Sequence, residues 1–238
     1  MGKLRRYCTA LTRYRKSKGF GIHSPFAFNF VLNVLREKAA YYAYADIRER
    51  RNRARHTKQL LRLRKPKMIS EKSARMMFRV ANHFNPSAIL QLGTNYGVSA
   101  YSSLRVSSRS RMWLADCSSG PAAALVLLQD LIERIDVSKT CIEAIRAYES
   151  EAPQDGGRYV VVNRIPADEA EAVGRWLQSL AEGDGVVVMR NLQHDEVVSR
   201  LWRSLLESLD HGMTFTNGKM GIAVLDRKLP RQNFQLWF

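Results

Sequence analysis

The sequence has little cysteine. Its three cysteines, Cys8, Cys117 and Cys141, are far apart in 238 residues and form no C-x-x-C pair. An odd number at such spacings argues against a disulfide framework and against a zinc site built from cysteine pairs. We therefore expect a cytoplasmic protein, in a reducing compartment, whose fold does not depend on cross-links.

Long hydrophobic runs are also lacking. No apolar stretch approaches the roughly 20 residues that span a bilayer, and no apolar segment of a secretory signal follows the basic N-terminus. We therefore expect neither a membrane span nor a secretory signal. The apolar fraction of 45% is ordinary, so a sizeable core can be buried. Length and composition together predict one α/β domain with an appended segment.

Acidic residues are scarce in the first 67 residues. That segment has 19 Lys and Arg against 3 acidic residues, a net charge of +16, whereas residues 68–238 have 19 of each and are neutral. The whole formal excess of +16 therefore lies in residues 1–67. Such asymmetry predicts a basic, mainly helical arm over residues 1–67 and a separate domain over residues 68–238.

Three kinds of partner fit the composition of this arm. RNA or another polyanion would meet its cations at the phosphates and stack bases on its interleaved rings, Tyr14, Tyr41, Tyr42 and Tyr44. An anionic membrane surface would also attract a polybasic segment. Alternatively, the arm docks through its apolar side chains on its own domain or on a second copy of the chain, as a homodimer.

The stretch "GIHSPFAFNFVLNVLREK" predicts a helix within the arm. Ser24 suits the N-cap, and Pro25 suits the first helical position, where its missing N–H costs nothing. Apolar residues then follow with helical spacing and form one face: Ala27, Phe30, Val31, Val34 and Leu35. His23 either fixes the turn before this helix or reaches over the functional site as part of a lid.

After Pro66, short apolar runs alternate with helical patterns. The predicted strands are Ala88–Leu92, Arg111–Asp116, Thr140–Ile145, Tyr159–Asn163 and Gly185–Met189. The predicted helices are a segment after Ser70 and the ranges Val98–Val106, Pro121–Ile135, Ala167–Leu180 and Asp195–Leu209. Such alternation predicts an α/β fold with a mostly parallel sheet. The closing "MTFTNGKMGIAVLD" adds an antiparallel hairpin around Asn217-Gly218 and brings the predicted strands to seven.

The stretch "AILQLGTNYGVSA" places Gly93 and Gly97 on the turn between a predicted strand and a predicted helix. It is not a Walker loop, because no lysine follows Gly97, and it is not a G-x-G-x-x-G dinucleotide fingerprint. Asp116 ends the next strand 19 residues beyond Gly97, close to the spacing at which a carboxylate holds ribose hydroxyls. A nucleoside site fits these features; the alternative is a tight turn beside a strand-end aspartate.

The segments "LQLGTNYGVSA" and "MWLADCS" resemble the cofactor motifs of the class I S-adenosylmethionine-dependent methyltransferases. The closing hairpin resembles that family's reversed seventh strand, and "GIHSPFAFNFVL" with "YYAYADIRERR" resembles the N-terminal arm of an uncharacterised bacterial branch. The resemblance implies a Rossmann-like methyltransferase fold that binds S-adenosylmethionine. By position it implies a set of cofactor-binding residues: Gln91, Gly93, Thr94, Asn95, Gly97 and Asp116, the last on the ribose hydroxyls. Gln91 stands where many members have a glutamate.

The positions that hold a metal in related O-methyltransferases are altered. Those enzymes have an aspartate after the fourth strand and an Asp-Asn pair after the fifth. Here the positions carry Asn163-Arg164 and Arg190-Asn191, so only Asn191 matches. Because magnesium prefers carboxylate oxygens and is repelled by guanidinium groups, we expect no metal site.

These observations support two interpretations of the function. The first is a metal-independent methyltransferase that acts on an oxygen or nitrogen nucleophile, with His194 and Asn191 as candidate catalytic residues. His194, just past the fifth strand, is the candidate base, although a histidine at such a position is more often a solvated residue that opens the next helix beside Asp195. The second is a catalytically inactive relative, a binding module whose basic arm contacts RNA or another polyanion; Gln91, Asn163 and Arg190 favour it.

Overall fold

A computed structural model describes residues 14–15, 17–60, 68–94, 96–116, 128–153 and 157–238. Asn95 of the expected cofactor set and residues 121–127 of the predicted helix Pro121–Ile135 lie outside these ranges. Within the described ranges, no helix combines the length and the apolar character that crossing a bilayer requires.

Eight strands of the described chain form one sheet. In chain order they are β1 (Ala88–Leu92), β2 (Arg111–Ala115), β3 (Ile135–Ser138), β4 (Arg158–Val162), β5 (Gly185–Arg190), β6 (Met213–Thr216), β7 (Met220–Leu225) and β8 (Gln232–Gln235). Across the sheet the order is β3-β2-β1-β4-β5-β7-β6-β8. Among these strands only β7 runs antiparallel to its neighbours, β5 and β6. The predicted α/β fold, with a mostly parallel sheet and an antiparallel hairpin, is confirmed.

The prediction of seven strands was wrong by one strand. β8 pairs in parallel with β6, from Met213 opposite Gln232 to Thr216 opposite Gln235. Its four residues bury one side chain, Phe234, which stacks on the ring of Phe215. An edge strand that buries a single side chain has almost no apolar periodicity, so the sequence pattern did not reveal it.

The predicted strand Thr140–Ile145 was also wrong, because these residues begin a helix. Thr140 is the N-cap: its side chain accepts a hydrogen bond from the Glu143 backbone, and the Glu143 carboxylate accepts one from the Thr140 backbone. This reciprocal capping box starts a helix at Cys141 despite the β-branched residues nearby. The third strand is instead Ile135–Ser138, which pairs with β2.

Helices cover both faces of the sheet. They are α1 (Pro25–Phe30), α2 (Ala43–Leu60), α3 (Glu71–Phe84), α4 (Val98–Leu104), α5 (Cys141–Glu151), α6 (Ala170–Leu180) and α7 (Glu196–Ser208). A π-helical turn, Val31–Leu35, extends α1, and a 3₁₀ turn, Gln129–Arg134, precedes β3. The buried side chains of α1 to α4 join one face of the sheet in a single apolar cluster, and those of α5 to α7 form a second cluster on the other face.

The predicted apolar face of the arm is buried against the same chain. All five of its side chains are 4% exposed or less: Ala27, Phe30, Val31, Val34 and Leu35. Arg79 of α3 fastens the end of this segment, donating from Nε to the Val34 carbonyl at 2.6 Å and from Nη2 to the Leu35 carbonyl at 3.0 Å. The arm helices therefore share a core with the sheet. The division of the chain at residue 67 stays a prediction.

Charged side chains tie α2 to the rest of the fold. Arg48 pairs with Glu71 on α3 at 3.1 Å, and Arg50 pairs with Asp130 at 2.7 Å. The Arg50 guanidinium also lies 4.4 Å from the ring centroid of Tyr101 on α4. Part of the arm's positive charge is thus used in contacts within the chain.

Candidate functional site

The carboxyl ends of four strands bring the expected site residues to one edge of the sheet. Leu92 pairs with Ala115 and with Val162, and Val162 pairs with Met189. One residue further along, four residues form a row across β2, β1, β4 and β5: Asp116, Gly93, Asn163 and Arg190. The strand order reverses between β1 and β4, and open α/β sheets bind ligands at the carboxyl edge beside such a point.

Gly93 and Gly97 are required by the backbone itself. Gly93 has φ +85°, and a Cβ there would lie 2.9 Å from both the nitrogen and the carbonyl oxygen of Arg164. Gly97 has φ +69° and is the N-cap residue just before α4. Both glycines therefore have a structural reason to be present, as the alternative of a tight turn requires, and they also leave the loop backbone without side chains.

Thr94 and Asp116 are in direct contact. The Thr94 hydroxyl donates to the Asp116 carboxylate at 2.6 Å, and Thr94 is buried while Asp116 is half-buried. This hydrogen bond links the turn after β1 to the end of β2. The structure thus brings together two residues that the sequence places 22 positions apart.

A buried polar network lies beside the glycine turn. The Gly93 carbonyl accepts from Gln91 Nε2 at 3.2 Å and from Asn163 Nδ2 at 2.8 Å. Asn163 Nδ2 is also 3.0 Å from the Ser99 hydroxyl, which the sequence did not identify. Among the described residues Gln91 Oε1 is a buried acceptor without a hydrogen-bond partner. Such an atom is costly unless a donor reaches it.

Arg190 carries the charge of this network. It is 5% exposed, and its Nη1 donates to Asn163 Oδ1 at 2.7 Å. Burial lowers the pKa of Arg190 from its ordinary value to about 10, so the guanidinium is still protonated at neutral pH. Asn191 follows with φ +65° and donates from Nδ2 to the Asn163 carbonyl at 2.9 Å. A protonated guanidinium therefore lies at the carboxyl end of β5, beside Asn163.

Metal ligands of the usual kinds are not grouped in the described part of the chain. There, no three side chains of His, Cys, Asp or Glu come together as an ion would require. The residues at the β4 and β5 ends offer amides and a guanidinium, and a guanidinium has no lone pair for a cation.

His194 and His23 lie at different places in the fold. His194 is exposed, and its backbone N–H donates to the Asn191 carbonyl at 2.8 Å, one residue before the Asp195 N-cap of α7. His23 is exposed next to Ser24, whose hydroxyl is 3.7 Å from Met213 Sδ. Met213 is the first residue of β6, at the amino end of a strand that runs parallel to β5. The turn at His23 therefore lies at the opposite edge from Gly93, which favours its local role over a lid.

The C-terminal part of α2 lies over the glycine loop. Lys58 Nζ is 5.6 Å from the ring centroid of Tyr96, which stands between the two glycines. Tyr96 is buried, and burial raises the pKa of its phenol. Its hydroxyl has no hydrogen-bond partner among the described residues. The C-terminal part of α2 thus borders the candidate site.

Comparisons with known proteins connect this fold to methyltransferases. An O-methyltransferase from Bacillus cereus in complex with S-adenosylhomocysteine is similar to the chain, with a TM-score of 0.58 and 13% identity over 81% of this chain and 96% of that one. An S-adenosylhomocysteine-bound methyltransferase from Podospora anserina has a TM-score of 0.55 and 11% identity over 87% and 98% of the two chains.

A third solved structure, the O-methyltransferase TomG from Streptomyces achromogenes in complex with S-adenosylmethionine, has a TM-score of 0.51 and 14% identity over 79% and 91%. No protein-family model and no curated protein matches the sequence. At these identities the likeness concerns the fold, and the chain has the Rossmann-like fold of these methyltransferases.

Proposed function

We propose that the protein binds S-adenosylmethionine at the carboxyl edge of the sheet and transfers its methyl group, without a metal, to an oxygen or nitrogen nucleophile. The hydrogen bond between Thr94 and Asp116 carries the proposal. It holds a carboxylate beside the bare glycine turn, at the strand-order reversal where nucleotide ligands bind in open α/β sheets.

The residues at this edge fit the parts of the cofactor. The Asp116 carboxylate, which can accept several hydrogen bonds, would bind the ribose hydroxyls. Gln91 Oε1, a buried acceptor without a donor among the described residues, would accept from the cofactor's ammonium group. When bound, the cofactor supplies a methyl group already activated by its positive sulfur. The chain then has to position the acceptor and remove its proton.

The catalytic assignments stay predictions. His194 is the exposed candidate base. Asn191, which donates from Nδ2 to the Asn163 carbonyl, would orient an acceptor rather than take its proton. Metal independence is likewise proposed from the donor set, Asn163 and Arg190, because neither offers a carboxylate oxygen.

Titration of the full chain with S-adenosylhomocysteine tests cofactor binding. We expect a dissociation constant below about 1 mM for the wild type. Asp116→Ala removes hydrogen bonds to a charged acceptor and should weaken binding about 10- to 100-fold. Asp136→Ala, an exposed aspartate on the neighbouring strand β3, is the matched control and should bind as the wild type does. Equal affinity of Asp116→Ala and the wild type would refute the ribose assignment.

A catalytically inactive binding module remains the second candidate. It is favoured by the Gly93 carbonyl, which already accepts from Gln91 and Asn163, and by the buried charge of Arg190. Transfer of a labelled methyl group to phenols, amines or RNA discriminates between the two. Tight binding of S-adenosylhomocysteine without transfer to any of these acceptor classes would favour the binding module.

A further inference from the structure

Arg190 is a buried cation with no acidic partner among the described residues. Its one hydrogen bond there goes to a neutral amide, Asn163 Oδ1, and it takes part in none of the ion pairs of that part of the chain. Of the 22 acidic residues in the sequence, only Asp155 lies outside the described ranges. Asp155 precedes Arg158, which begins β4, whereas Asn163 follows the other end of that strand.

A buried guanidinium normally uses its donors, as Arg79 of the same chain does. Arg79 is 8% exposed and donates to the Val34 and Leu35 carbonyls and to the Tyr44 hydroxyl. All three guanidinium nitrogens of Arg79 therefore donate hydrogen bonds within the fold. Arg190 also has five N–H donors, but among the described residues it has one acceptor, whereas Arg79 has three.

An anion at Arg190 would complete the arrangement. Burying a charge without a counter-charge is unfavourable, and an oxyanion would offset this cost through a paired, charge-assisted contact. Arginine suits a carboxylate in particular because two of its N–H groups can bind both oxygens. Alternation along β5 puts Arg190 on the same face as Val186 and Val188, the face that also bears Gln91.

The position of Arg190 in the row separates it from the ribose end of the site. Between β2 and β5 lie three strand spacings of about 4.8 Å, so Asp116 and Arg190 stand roughly 14 Å apart. A nucleoside held by Asp116 would leave the β5 end for the acceptor. The cation is thus placed where the second substrate of a transfer reaction would enter.

We propose that the Arg190 guanidinium binds a carboxylate at the β5 end of the site, and that this carboxylate belongs to the methyl acceptor, which is therefore an acid. This proposal rests on the proposed function, because the protein has a methyl acceptor only if it transfers a methyl group. The cofactor also carries a carboxylate, and the experiment below separates the two sources.

The first measurement uses the wild-type full chain alone. In the presence of S-adenosylhomocysteine, 3-hydroxybenzoate should bind at least about 10-fold more tightly than 3-hydroxybenzamide, which has the same shape but no charge. The same pair is titrated without S-adenosylhomocysteine, so a failure of cofactor binding is recognised separately. Equal affinities for the acid and the amide in both titrations would overturn the proposal.

The second measurement compares Arg190→Gln with Arg158→Gln, a matched control at the amino end of β4, each checked for folding by thermal denaturation. Arg190→Gln should lose the preference for the acid, while S-adenosylhomocysteine binding stays within about threefold of wild type. If Arg190 instead holds the cofactor's carboxylate, Arg190→Gln will weaken S-adenosylhomocysteine but not methylthioadenosine, which lacks that group, and the acceptor assignment fails. Unchanged binding of every ligand would overturn carboxylate recognition altogether.

Discussion

Asn163 is the residue on which the candidate site converges. It donates to the Gly93 carbonyl and to the Ser99 hydroxyl, and it accepts from Arg190. These contacts join the ends of β1, β4 and β5 with the first turn of α4. Asn163 is therefore the centre of a buried polar network at the carboxyl edge of the sheet.

Replacing Asn163 by alanine should destabilise the fold. The change removes the partner of the buried Ser99 hydroxyl and of the buried Arg190 guanidinium, and it leaves the Gly93 carbonyl with Gln91 as its remaining donor. We expect it to lower the free energy of unfolding by about 2–4 kcal/mol. Urea denaturation monitored by tryptophan fluorescence measures it. Ser99→Ala, which removes one acceptor from the same network, is the control and should cost about 1 kcal/mol. Equal losses for the two variants would contradict the central position of Asn163.

The sequence predicted part of this site, for reasons that differ between residues. Gly93 and Asp116 were recognisable because their spacing follows the geometry of a strand, a turn and a helix. Ser99 was missed because a serine within a helix carries no periodic or charge signal. The sequence did not reveal the burial of Arg190 either. Its contact with Asn163 arises because β4 and β5 are neighbours in the sheet, and the strand order is not visible in the local sequence pattern.

At the scale of elements, the arm is fixed where its π-helical turn ends. The last carbonyls of a helix lack partners within the helix, and here those of Val34 and Leu35 accept from Arg79. The same guanidinium reaches Tyr44 on α2 at 3.0 Å. One side chain of α3 thus contacts both the end of the π-helical turn and α2.

Arg79→Met should loosen this attachment. Methionine fills a similar volume but donates nothing, so two buried carbonyls lose their partner, and we expect a loss of about 2–4 kcal/mol of unfolding free energy. The measurements are urea denaturation and tryptic cleavage after Arg36 and Lys38, which should become faster. Arg75→Met, a less buried arginine of α3 paired with Glu71, should change both little. Unaltered cleavage in Arg79→Met would mean that apolar burial alone holds the arm.

The boundaries of the elements show where local signals compete. Both ends of β1 were predicted correctly, because Ser87 and Gly93 bound a short apolar run that is typical of a buried strand. Around Thr140 the β-branched residues suggested a strand, yet the capping box with Glu143 started a helix. Local hydrogen bonding at a helix start thus outweighed a weak strand preference.

At the scale of the whole molecule, the net positive charge lies in residues 1–67, and part of that segment is next to the candidate site. The contacts of Arg48 and Arg50 with acidic residues use some of this charge. Arg53 and Arg55 are exposed on α2, where Arg53 pairs with the equally exposed Glu49. Lys58 then brings the same helix to the glycine loop. A polyanion along α2 would therefore lie next to the carboxyl edge of the sheet, which keeps RNA among the proposed partners.

Salt dependence distinguishes RNA binding by this helix from a merely solvated surface. We expect the full chain to bind single-stranded RNA with an affinity that falls steeply with salt, because phosphate contacts release counterions. The double change Arg53→Gln and Arg55→Gln should reduce the slope of log affinity against log salt by about 1.4, at roughly 0.7 per lost contact. The matched control is the double change Arg175→Gln and Arg203→Gln, two exposed arginines of α6 and α7, and it should leave the slope unchanged. Equal slope changes in both double variants would mean that RNA binding depends on the net charge of the protein and not on α2. Binding to vesicles of anionic lipid but not to RNA would mean that the helix contacts a membrane surface.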